Sequence, residues 1–185
     1  MVVNIRVVAI MLVLFVVART ANGAEAVVDD IRVRGSQKFV NQIKAALELL
    51  RTASPDSYVI VRSYIGRIEQ SRRSGMAATE DPPTAYFNEP TALGSLTWCA
   101  SNIAHEAYHS KLYHEYRKKH GEPVPDDAWG GQLREQQCCV FQTLVLRDVK
   151  APDDEIRCTQ NQNGLHFDVD GDGYYTWRDY LLQDW

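Results

Sequence analysis

Residues 105–109 read His105-Glu106-Ala107-Tyr108-His109, and no other stretch so narrows what this chain can fold into. Positions i and i+4 of a helix lie one above the other on the same face. On a helix, His105 and His109 therefore aim two imidazoles at one point, with Glu106 beside them. In that arrangement the two histidines hold a zinc ion and the glutamate takes a proton from metal-bound water. Ile103, Ala104, Ala107 and Tyr108 are uncharged, as a buried helix requires. The fold must bury this helix and bring a further ligand to it, because two histidines alone do not hold a catalytic zinc. The competing reading is an exposed helix whose histidines pair with the glutamate.

The first 23 residues carry Arg6 and then the apolar run Val7 to Ala18, and the small residues Ala21, Gly23, Ala24 and Ala26 follow that run. This is the pattern of a secretory signal peptide, with cleavage expected after Gly23 or Ala26. The run is shorter than the roughly 20 residues of a membrane span, and an uncleaved anchor is the alternative. The expectation is a secreted or periplasmic protein, free of the membrane after signal cleavage. The remaining chain suits one domain with its own core. Losing Arg6 and Arg19 takes the formal charge from −4 to −6. Residues 151–185 hold eight acids and two arginines, so the body from 24 to 150 is near neutral. That balance argues against a nucleic-acid partner and for a cation bound in the tail.

Four cysteines, Cys99, Cys138, Cys139 and Cys158, form an even count in a chain read as exported, which predicts two disulfides. Adjacent cysteines rarely bridge, so Cys138 and Cys139 are each expected to pair with Cys99 or Cys158, in either order. A four-cysteine zinc site lacks the usual C-x-x-C spacing.

Ile31 to Arg34 alternates apolar and charged residues and reads as a strand. Phe39, Ile43, Ala46, Leu47 and Leu50 fall at helical spacing, which predicts an amphipathic helix over 37–52, ended by Ser54-Pro55-Asp56. Tyr58 to Val61 is rich in β-formers and Gly66 to Glu69 reads as a second strand. Residues 71–83 read as a loop or irregular edge, and Ala85 to Phe87 as a short strand. Ser95 or Thr97 can cap the histidine helix, which Gly121 and Pro123 stop. Asp126 or Asp127 can cap a further helix from Leu133 to Asp148, apolar almost all round between Cys138 and Leu146 and so expected to be buried.

The third ligand can be sorted by geometry. Cys99 lies six residues before His105, about 9 Å along a helix, and on another face. Glu115 has the same fault relative to His109. Glu135 is the best candidate, since a carboxylate entering an apolar helix is costly unless it meets a cation. The alternative is a solvated first-turn acid favoured by the helix dipole. Glu122, Asp126 and Asp127 are the fallbacks.

Together His105, Glu106, His109 and a downstream helical Glu135 resemble a gluzincin, a metallopeptidase of the zincin superfamily, over roughly residues 29–150. The resemblance implies an α+β fold of minimal zincin type: a small mixed sheet, an active-site helix and a buried glutamate helix, here stapled by disulfides. It implies zinc on His105, His109 and Glu135, Glu106 as general base, and hydrolysis of a peptide or protein substrate. In zincins an edge strand beside the metal pairs with the substrate backbone. The resemblance puts Ala85 to Asn88 in that role and makes Tyr86 a substrate-binding candidate, the alternative being a core strand. Tyr86, Tyr113, His114, Tyr116 and His120 are candidate donors to the reacting carbonyl. One departure stands out: some gluzincins carry Asp four residues after the ligand Glu, where this chain has Cys139. Leu112 and Glu115 exclude the metzincin pattern.

Asp168, Asp170, Asp172, Tyr174, Thr176 and Asp179 match the ligand positions of a calcium loop, resembling a single EF-hand or dockerin-type loop without an entering helix. The expected organisation is a signal peptide over 1–23, a zincin-like domain over 24–150 and an extension with a calcium loop over 151–185. The expected function is that of a monomeric, exported zinc metallopeptidase with calcium bound in its tail. The alternative is a non-catalytic domain in which both metals serve folding or partner binding.

Overall fold

The computed structural model describes residues 23–164, 169, 171 and 177–182. The expected signal segment before Gly23 lies outside them, as do Asp168, Asp170, Asp172, Tyr174 and Thr176 of the expected calcium loop.

The chain forms a mixed α/β structure. Five strands, β1 (Ala24–Val28), β2 (Ile31–Gly35), β3 (Arg67–Gln70), β4 (Gly75–Ala77) and β5 (Thr84–Phe87), make one sheet in the order β1-β2-β3-β5-β4. β1 and β2 are an antiparallel hairpin. Asp29 and Asp30 turn it with φ of 44° and 73°, the two positive values a two-residue hairpin turn of the twisting type needs. A signal cut after Gly23 leaves β1 whole, whereas a cut after Ala26 removes most of it. β2–β3 and β3–β5 are parallel, so each needs a crossover. The first is supplied by α1 (Gln37–Ala53) and α2 (Pro55–Tyr64).

α2 overturns the strand expected at Tyr58 to Val61. Pro55 sits in its first turn, where a missing N–H costs nothing. Tyr58 and Val61 are buried while Val59 is 63 % exposed, the three-residue period of a helix and not the alternation of a strand. The expected loop 71–83 contains edge strand β4, which pairs antiparallel with β5. β5 is therefore not an edge: β3 lies on one side of it and β4 on the other. The backbone pairing expected between substrate and Ala85 to Asn88 has no free side to use. Tyr86 donates its hydroxyl to Glu80 Oε1 at 2.9 Å, and Glu80 is held by Arg67 at 2.9 Å.

After the short α3 (Glu89–Leu93) come two long helices, α4 (Leu96–His120) and α5 (Gly131–Asp148), packed on each other. Ser95 caps α4, its Oγ accepting from Trp98 N at 2.9 Å. Gly121, at φ 82°, ends it. α5 starts at Gly130–Gly131 without a side-chain cap. The acids expected to cap it, Asp126 and Asp127, lie instead in a 3-10 turn over Asp126–Ala128. α5 is not buried all round, since Leu133, Val140 and Leu144 are 50–64 % exposed. The core draws Ile31, Val33, Phe39, Ile43, Leu47, Leu50, Val61, Ile68, Phe87, Ile103 and Leu146 from sheet and helices alike.

α6 (Asp153–Gln160) packs on α5. Its Glu155 accepts from Ser95 Oγ at 2.6 Å and Thr97 Oγ1 at 2.7 Å. The segment just past residue 150 is thus fastened to the first turn of α4. Gly164, at φ 80°, runs so close to α5 that a Cβ would lie 2.3 Å from the Gln132 carbonyl oxygen. α7 (Trp177–Leu182) is the last helix described.

All four cysteines are free, so the two expected disulfides are absent from this structure. Cys99 belongs to the apolar core. Cys139 donates its thiol to Gln162 Oε1 at 3.2 Å, Cys158 is exposed, and Cys138 faces the histidines, as described next.

Candidate metal centre

α4 brings His105, Glu106 and His109 to its buried side, and α5 brings Glu135 and Cys138, one turn apart, to face them. The Nε2 atoms of His105 and His109 are 3.1 Å apart. Glu135 straddles them, Oε2 lying 3.4 Å from His105 Nε2 and Oε1 3.2 Å from His109 Nε2. The donor atoms of His105, His109 and Cys138 all lie within 4.8 Å of one another. Around a tetrahedral zinc with bonds of about 2.0–2.3 Å, donors sit roughly 3.3–3.8 Å apart. The residues present fit such an ion. His105, His109 and Cys138 form a buried group able to hold a metal.

The outer nitrogens fix which tautomer each histidine adopts. His109 Nδ1 lies 2.7 Å from the Trp129 carbonyl oxygen, which can only accept, so Nδ1 carries the proton. Ser101 donates its hydroxyl to the Trp98 carbonyl at 3.0 Å and accepts from Gln142 Nε2 at 3.2 Å. That turns Gln142 Oε1 towards His105 Nδ1, at 3.0 Å, and Nδ1 is again the donor. Both neutral imidazoles therefore present Nε2 lone pairs to each other at 3.1 Å. Two lone pairs so placed repel unless a proton or a metal cation stands between them. Pinning Nδ1 so that Nε2 is free to ligate is how metal-binding histidines are oriented.

The electrostatics of the site agree. Burial pushes the Glu135 carboxyl up, but His109 and His105 outweigh it and hold the group well below its usual range. Burial lowers the His109 pKa, yet Cys138 and Glu135 carry it well above 6.5, which marks the site as one that attracts positive charge. Burial raises the Cys138 thiol, with His109 opposing. Burial also raises Glu106, partly offset by the two histidines. Glu106 is 9 % exposed and has no hydrogen-bond partner among the described residues. A carboxylate with a trace of solvent and no protein donor is free to accept a proton from water.

Other sequence candidates fall elsewhere. Cys99 is buried in the core, and burial pushes its thiol up to about 12. Glu122, Asp126 and Asp127 are exposed. His114 stacks on Tyr64 at 6.3 Å and meets Tyr113 edge-on at 5.1 Å, while Tyr116 pairs with His120 at 4.6 Å, outside the donor cluster. Tyr113 also packs edge-on against Trp129 at 5.6 Å. These two rings line a groove of about 590 Å³ together with Thr79, Pro123 and Val124, and Glu122 and Asp126 are its acids. Asp179 is fully buried, and its Oδ1 accepts from Val169 N at 3.1 Å.

The sequence reading missed three parts of the centre: Cys138 as a donor, Gln142, and the Trp129 carbonyl. Gln142 carried a signal, being a polar residue inside an apolar helical run seven positions after Glu135, and such a residue needs a buried partner. The carbonyl carried none. No family model, curated protein or solved structure matches the chain, so its chemistry rests on this geometry.

Proposed function

We propose that this chain is an exported zinc-dependent metallopeptidase of zincin type, with zinc on His105, His109 and Glu135 and Glu106 as general base. The observation that carries the reading is the pair of Nε2 lone pairs, each aimed by a pinned Nδ1, converging on one carboxylate. A bound zinc supplies Lewis acidity and brings the pKa of a coordinated water towards about 7. Glu106 accepts the proton of the attacking water and returns it to the leaving amine. Its raised pKa suits both transfers. The groove between Tyr113 and Trp129 takes a substrate side chain. It lies one turn beyond His109 on α4, and Trp129 both walls it and accepts from His109. Edge strand β4, packed against α4, offers the backbone pairing that β5 does not.

The acidic loop over 168–179 binds calcium in this reading. Its Asp179, buried and bonded to Val169 N, would be the last ligand. A second reading keeps the metal but not the chemistry, as a domain folded around its ions. The low exposure of every donor favours it.

The test is cleavage of a proteome-derived peptide library by the zinc-loaded protein with Glu106→Gln alongside. Cuts that vanish in the variant, while zinc content stays at one per chain, are expected. Equal cleavage by both would dismiss Glu106 as the base. Loaded zinc with no cuts from either protein would transfer the case to the second reading.

A further inference from the structure

We infer that Cys138 is a fourth metal donor, so that the resting site is a closed His-His-Glu-Cys set with no position left for water. This rests on the zinc reading above and concerns the regulation of the same site. A catalytic zinc keeps three protein ligands and one open position, whereas a structural zinc fills all four with protein. Cys138 lies three residues after Glu135 on the same face of α5, is fully buried, and its Sγ lies within 4.8 Å of both histidine donors. A fully buried thiol beside two imidazoles is well placed for coordination, because a soft sulfur donor selects zinc over hard cations. Cys139 cannot serve in its place, since it turns to Gln162. The hydrolytic form is then the one in which the Cys138 side chain has withdrawn. Cys138 thus acts as an internal latch, competing with water for one position.

Cobalt(II) loading of the full chain tests this without reference to activity. The parent should bind one cobalt and show a thiolate-to-cobalt charge-transfer band in the near ultraviolet. Cys138→Ser should lose that band while still binding cobalt, and Cys139→Ser should keep it. X-ray absorption on the zinc-loaded parent avoids any variant and should find one sulfur at about 2.3 Å. A bound metal with only nitrogen and oxygen neighbours would overturn the latch and leave the three-donor site standing. No bound metal at all would remove both readings together.

Discussion

α4 and α5 are the two longest helices and pack along each other, yet their sequences relate to burial in opposite ways. α4 turns inward a face of small and apolar residues interrupted by His105, Glu106 and His109. α5 turns Glu135, Cys138, Gln142 and Thr143 inward beside the apolar Val145 and Leu146, and leaves Leu133, Val140 and Leu144 in solvent. Hydrophobicity accounts for the burial of Val145 and Leu146 but not for the polar part of that face. What holds it is the set of polar groups that answer α4: Glu135 against both imidazoles, and Gln142 between His105 and Ser101. The orientation of one helix follows from burial, that of its partner from satisfying buried nitrogens, because an unpaired buried polar atom costs more than an exposed leucine.

That contrast can be broken at graded points. The largest effect belongs to Glu106→Gln, which should cut peptide cleavage by about 10²–10⁴-fold and leave zinc binding intact. Steady-state rates and metal content on one sample decide it. Glu135→Ala should release α5 from α4. With one partner of a buried charge pair gone, the metal-free fold should lose about 3–5 kcal/mol, read by urea denaturation; a loss within the error of the fit would mean that apolar packing alone orients the helix. Gln142→Leu keeps the volume and unpins His105, and should weaken zinc roughly 10- to 100-fold in competition with a chromophoric chelator. An unchanged affinity would show that the tautomer needs no help. At the small end, Leu133→Ser and Val140→Ser should shift stability by no more than about 0.5 kcal/mol, and a larger cost would show that this face is covered in solution.

Acidity sharpens the same contrast. His109 sits well above its usual 6.5 and Glu135 well below its usual 4.5. The His109 contribution is complete below 6.5 and fades as pH rises through its folded value. That of Glu135 is complete above 4.5 and fades as pH falls through its folded value. Metal-free melting temperatures should therefore decline below 4.5 and above 6.5, with a further fall as pH climbs from 4.5 through the raised value of Glu106. Zinc binding should follow the opposite course on the alkaline side, strengthening as His109 gives up its proton. Parallel profiles for the two would separate His109 from the metal.

How much of this was legible in the sequence depends on the distance over which each signal acts. The histidine helix, its Ser95 cap and its glycine stop are written within a turn or two, and the structure has them. Glu135 was legible because a carboxylate entering an apolar helix must be answered. Tyr58 to Val61 misled, because β-branched residues suit a helix once Pro55 starts it and one face is covered. The place of β5 inside the sheet was hidden, since three residues of β4 arise from a stretch rich in Gly, Ser and Pro. Cys138 was read as a bridge partner because an even cysteine count in a chain read as exported speaks for bridges, whereas the structure sets it beside the imidazoles. The Trp129 carbonyl is backbone, which no side-chain pattern announces.

The centre draws every donor and both orienting partners from α4, α5 and the turn between them, a single helical hairpin. None comes from the sheet. Once α4 and α5 have formed, its assembly closes only the ten residues of 121–130, and a short closure is fast and costs little chain entropy. Parallel strands β2 and β3 must instead wait for a 31-residue crossover, 36–66. In refolding with zinc present from the start, amides of α4 and α5 should be protected against exchange before those of the sheet. The ion would act as a folding nucleus, committing the hairpin while the remaining chain is still searching.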